Sequence, residues 1–132
     1  ANATSLADFS GAKVTAQLNT FHYTVIDQIP GVDKQTAMDN FPAMRVALQS
    51  GTIDAYVSEL PEAISAQAAN SDFVMVKLTD GFKTSPEDTQ TAVGVRKDSS
   101  LTKEINEALK TISSEERQKI MEEAIKNQPA AE

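Results

Sequence analysis

Apolar positions in this chain keep two rhythms, one of period two and one near 3.6 residues, and the two alternate along its length. Residues 13–18 keep the first, with Val14, Ala16 and Leu18 on one side and Thr15 and Gln17 on the other, which predicts a strand. Asn19 and Thr20 follow where a helix N-cap belongs, ahead of a helical segment 21–29 that Pro30 and Gly31 end. A brief extended piece at 34–38 leads to Asp39 and Asn40, again capping types. Phe41, Met44 and Leu48 then recur at i, i+3 and i+7, with Gly51 as the stop. Ile53, Ala55 and Val57 alternate once more, and Pro61 stands ready to open a third helix reaching Asn70. Residues 73–78 supply a fourth apolar strand, 79–88 reads as a loop, and 91–96 gives a fifth strand.

The remainder is helical. Leu101, Ile105, Ala108, Leu109 and Ile112 keep one face, and Ser113 with Glu116 forms a capping box for a last helix bearing Ile120, Met121, Ala124 and Ile125. Strands alternating with helices of this length predict right-handed β-α-β crossovers. The expected class is therefore α/β: an open, mostly parallel five-stranded sheet with helices on both faces, followed by two C-terminal amphipathic helices. The low-complexity ends, residues 1–4 and 128–132, are expected to be mobile.

Composition narrows the function classes. A chain of 132 residues suits one domain, and 40% hydrophobic content is ordinary for a globular protein. Twelve basic against nineteen acidic side chains leave a net charge of −7. That argues against nucleic acid or an anionic lipid surface as the main partner, because both select basic stripes. Cysteine is absent, which removes disulfides, thiolate metal sites and cysteine nucleophiles together. No apolar run approaches the 18 or more residues that cross a bilayer. The first residue is Ala rather than Met, so a processed or excised piece, parted from any signal peptide or anchor, is expected.

An open parallel sheet binds ligands beyond the carboxyl ends of its strands, where strand order reverses. Asn19, Thr20 and Phe21 leave strand one at such an end and begin a helix, whose unpaired N–H groups and dipole favour an anion such as a carboxylate. Glu59 leaves strand three in the same way. With strand order 2-1-3 the two ends are neighbours, and donors beside an acid suit a zwitterion. Simpler roles exist: Thr20 caps any helix well, Glu59 beside Pro61 is also a favourable first-turn acid, and Phe21, Tyr23 and Phe41 serve as packing as readily as pocket lining. His22 is the single histidine, and no HExxH or similar spacing accompanies it, so neither a metal nor a cofactor is expected. GxSxG and phosphate-loop patterns are also absent. The rival class is a small hydrolase or transferase with Glu59 as base and His22 as acid.

Four stretches in order resemble one family, the extracellular amino-acid-binding proteins of ABC importers, in the type II fold group. They are residues 5–14 (SLADFSGAKV, similar to the family's DLKGKKV), the turn 17–21 (QLNTF), residues 51–61 (GTIDAYVSELP, similar to GxIDAxVxDxP) and residues 92–97 (AVGVRK) ahead of an amphipathic helix. The resemblance implies a two-lobed clamp that closes on a polar or charged amino acid without catalysing a reaction. It implies that residues 6–89 form ligand-binding lobe 2, 90–95 a hinge strand containing Gln90 and Thr91, and 96–127 a helical segment returning to lobe 1, which this chain lacks. Residues 128–132 are a disordered tail in this reading. By analogy, the turn Asn19–Thr20–Phe21 meets the α-carboxylate, Glu59 the α-ammonium, and Phe21 with His22 the side chain. The family's Gly-Thr-Thr or Gly-Thr-Ser turn and its Asp are replaced here by Asn19-Thr20-Phe21 and Glu59. The implied partner is an importer permease, and the implied location is the cell surface, through a lipid anchor in the full form, or the periplasm. Without lobe 1 the apolar faces of the last two helices need another cover, either the sheet itself or exchange between two copies into a dimer.

Overall fold

The computed structural model describes residues 2–129, which fall into two units, 2–88 and Thr89–Pro129. The first is α/β. Its strands are β1 (Lys13–Ala16), β2 (Asp33–Lys34) and β3 (Ala55–Val57), all parallel, in the order β2-β1-β3. The helices between and after them are α1 (Phe21–Thr24, continued by a 3-10 turn, Val25–Gln28), α2 (Phe41–Gln49) and α3 (Leu60–Ala69). A short helix α4 (Pro86–Thr89) ends the segment that follows.

The alternation in β1 places Val14 and Ala16 on one face and Thr15 on the other, and all three are buried, so the central strand is covered on both sides. Val14 and Ala16 pack with Ile26 and Ile29, which the 3-10 turn after α1 delivers. Leu6, Phe9, Tyr23, Val32, Val57 and Phe82 close over that cluster. The Thr15 hydroxyl donates to Thr36 O (2.8 Å), so this buried hydroxyl is satisfied. Met44 and Ala47 are the buried residues of α2, which packs on β3.

Caps follow the sequence for α2, where Asn40 Oδ1 accepts from Ala43 N (2.9 Å) and Pro42 occupies the first turn. Gly31 has φ +67°, and a Cβ there would lie 2.7 Å from Ser10 Oγ, so the turn into β2 needs glycine. Ala1 lies outside the described residues, but the expectation of a loose N-terminus fails at Thr4. Its carbonyl accepts from Thr79 N (2.9 Å) and Thr79 Oγ1 (3.0 Å), and its amide donates to Asp8 Oδ2 (2.9 Å). Gln28 and Lys83 exchange two hydrogen bonds of 2.8 Å, which ties the loop after Thr79 to the 3-10 turn.

The sheet has three strands, not five. Residues 73–78 and 91–96 have extended composition but no ladder partner among the described residues. Period-two patterning makes a segment suitable for a sheet, yet a strand exists only where a neighbour takes up its N–H and C=O groups. Residues 73–78 instead lie partly buried, with Val74 exposed, while Val93 and Val95 keep much of their surface in solvent.

The second unit contains α5 (Leu101–Lys110) and α6 (Ser114–Asn127), as the 3.6-residue rhythm predicts. The capping box forms: Ser113 Oγ accepts from Glu116 N (3.1 Å), and Glu116 Oε2 accepts from Ser113 N (3.0 Å). Arg117 Nη2 donates to Leu109 O (2.6 Å) at the end of α5. No described residue of this unit is buried, and Leu101, Leu109, Ile120 and Met121 are all exposed. Gln128 and Pro129 follow α6, and residues 130–132 of the expected tail lie outside the described residues.

Candidate functional site

The pairing of β1 with β3 brings the sequence-derived candidates together. Ala16 is in register with Val57, so the chain leaving β1 at Gln17 and the chain leaving β3 at Ser58 emerge side by side from the same edge. Gln17 is also bridged in parallel to Met38 on the other flank, and Leu18 N donates to Met38 O (2.8 Å). Asn19 then turns with φ +61°, in the left-handed region that Asn tolerates better than most residues, and α1 begins two residues later. The turn Asn19–Thr20–Phe21 and Glu59 thus stand at neighbouring carboxyl ends of a parallel sheet.

The capping explanation fails for Thr20 at the side-chain level, whereas Glu59 keeps the place of a solvated acid at a helix start. Thr20 is the N-cap of α1 by backbone geometry, but its hydroxyl donates back to Gln17 O (2.7 Å) and does not cap the helix. Glu59 is the N-cap of α3, and its carboxylate makes no cap hydrogen bond and stays exposed. By contrast Asn40 and Ser113 do cap their helices. Tyr23 N donates to the N-cap carbonyl, Thr20 O (3.3 Å), while the amides of Phe21 and His22 have no side-chain cap, and the Glu59 carboxylate is open to solvent.

His22 lies half-buried with its ring against Phe21, centroids 4.1 Å apart. Burial lowers its pKa below the ordinary 6.5, and the field of the Glu59 carboxylate opposes that shift. Because the native imidazole binds its proton less tightly than the unfolded one, His22 contributes stability above about pH 6.5 that is lost as the pH falls through that value toward the lowered folded pKa. Unfolding free energy from urea titrations is expected to decline between about pH 7.5 and 5.5, and His22→Gln should flatten that decline. Asp8, held below the usual carboxylate range by the amides of Thr4 and Ser5, acts in a separate and more acid window.

A second cluster is absent from the sequence reading. Glu62, in the first turn of α3, accepts from Arg45 Nε and Nη2 (2.9 Å each) and from Tyr56 Oη (3.3 Å). Arg45 and Glu62 keep only 14% and 9% of their side-chain surface exposed. Burial, then the Glu62 charge, raises the pKa of Tyr56. A signal was present: Arg45 falls on the stripe formed by Phe41, Met44 and Leu48, where a charged residue must find a buried partner.

Gln90 and Thr91, the expected hinge, are exposed residues of the second unit in irregular backbone. Two open hollows of about 510 and 430 Å³ lie along α5 and α6 and touch none of the candidate residues. Among the described residues no group of three potential metal ligands forms, and no helix is long and apolar enough to cross a membrane. Comparison of the chain with protein-family models, with characterised proteins and with solved structures finds no match.

Proposed function

We propose that the first unit is one lobe of a type II amino-acid-binding protein, non-enzymatic, whose crevice between residues 19–22 and Glu59 holds a polar or charged amino acid. What supports this reading is the β1–β3 register, which sets a turn with uncapped helix amides beside a solvent-open carboxylate. Amides meet a carboxylate and a carboxylate meets an ammonium, so the pair is complementary to the two poles of an α-amino acid. In that role the protein delivers its ligand to an importer permease at the cell surface or in the periplasm, and a second lobe, hinged at Gln90 and Thr91, completes the clamp.

Affinity arithmetic bounds what this lobe does alone. Two or three charge-assisted hydrogen bonds contribute roughly 3 to 9 kcal/mol, against several kcal/mol for association. Binding near millimolar, about 4 kcal/mol net, is therefore expected of the isolated chain. Two-dimensional NMR during titration with the twenty amino acids tests it. Amide shifts at Asn19 to His22 and at Glu59 are expected for at least one of them. Glu59→Gln should weaken that response by about tenfold or more, and the N-acetylated form of the same amino acid, which lacks the ammonium, should give none. Shifts confined to other parts of the chain, or equal binding of the acetylated form, would defeat the proposal.

A further inference from the structure

We propose that Arg45 is a positioning residue: its two-point grip on Glu62 sets the first turn of α3 and thereby holds Glu59 opposite the turn 19–22. The inference rests on the amino-acid-binding reading for the ligand that Glu59 would meet, and on geometry alone for the rest.

The Glu59 carboxylate makes no cap bond, and its place is set by the end of β3, two residues earlier, and by where α3 begins. The buried residues of that helix are Glu62 and the small Ala66, with Ile64 half-buried. The grip on Glu62 is its polar anchor. Arg45 reaches it from α2 with both Nε and Nη2, and Tyr56 reaches it from β3, so three elements meet at one carboxylate. A planar guanidinium bonded at two points fixes orientation as well as distance, which a single contact does not. Arg45 Nη2 also lies 3.5 Å from Ser65 Oγ, one turn further along α3, so the contacts fix rotation of the helix about its axis. Glu59 is the N-cap of α3, three residues before Glu62 and joined directly to its first turn.

His22 supplies the readout, because it is the only histidine and senses the Glu59 charge. Its ring resonances can be followed by NMR through a pH titration in the full chain, in wild type, in Glu59→Gln, and in the double variant Arg45→Met/Glu62→Met, which removes both charges together and keeps the space filled. With Glu59 neutral, the His22 midpoint is expected to fall below wild type. The double variant is expected to show at least half of that fall while keeping native amide dispersion, and adding Glu59→Gln to it should lower the midpoint little further. Should the double variant not fold, Arg45→Lys, which keeps the charge and loses the fork, is expected to lower the midpoint part of the way. A midpoint at the wild-type value in the double variant, or in Arg45→Lys where that stands in for it, while Glu59→Gln lowers it, would overturn the positioning role and leave the crevice intact. A midpoint unmoved by Glu59→Gln would instead overturn the pairing of Glu59 with the turn, and the binding site with it. A contact serving stability alone would lower the unfolding midpoint without moving His22.

Discussion

Ile26→Ala is expected to destabilise the first unit by about 3 kcal/mol, within the roughly 2 to 5 typical of a buried aliphatic truncated to alanine. Ile26 is fully buried, and it is the side chain through which the 3-10 turn after α1 reaches Val14 and Ala16 on β1. Truncation removes three methyl or methylene groups from a cluster roofed by Phe9, Tyr23 and Phe82, and a packed interior collapses only in part into such a space. Against a total stability of about 5 to 15 kcal/mol for a domain, the loss is large. Urea unfolding followed by circular dichroism checks it: the midpoint should fall with the slope unchanged, since the surface exposed on unfolding is nearly the same. Ile120→Ala serves as the control. That residue is 59% exposed, and its change should stay within about 0.5 kcal/mol. A loss below about 1 kcal/mol for Ile26→Ala would mean the sheet is covered differently.

Arg45→Ala is expected to cost about 3 kcal/mol, whereas Arg45→Met/Glu62→Met should stay within about 1 kcal/mol of wild type. The asymmetry is the point of the prediction. The single change leaves the Glu62 carboxylate in its nearly dry place with the Tyr56 hydroxyl as its remaining close donor. The double change removes the desolvation cost and the attraction together and fills the volume with apolar atoms. Ion pairs this buried return little net stability over such a replacement, since two charges must leave water to make them. Equal losses in the two variants would show that the pair itself, and not the avoidance of an unpaired charge, carries the stability. The same denaturation measurements decide between these outcomes.

Much of the candidate site was legible before any coordinates. Asn19, Thr20 and Glu59 follow alternating segments and precede helical ones, and the parallel register of Ala16 with Val57 sets their chain segments at one edge of the sheet. What could not be read was the direction of individual bonds. Thr20 has the composition of a cap, yet its hydroxyl donates to Gln17 O and accepts from no helix N–H, an outcome that only the local backbone decides. Arg45 and Glu62 are 17 residues apart on different helices, and no sequence period joins them.

Local order was thus a property of the chain by itself. The helices, the caps at Asn40 and Ser113 and the amphipathic faces of α5 and α6 all follow from interactions within a few residues. The number of strands in the sheet, the tethering of Thr4 to Thr79 and the ion pair between α2 and α3 were decided by tertiary structure. The reason is that a ladder or a buried charge is satisfied only by a partner distant in sequence. Residues 73–78 and 91–96 carry the pattern of strands and find none among the described residues, while β1, flanked on both sides, finds two.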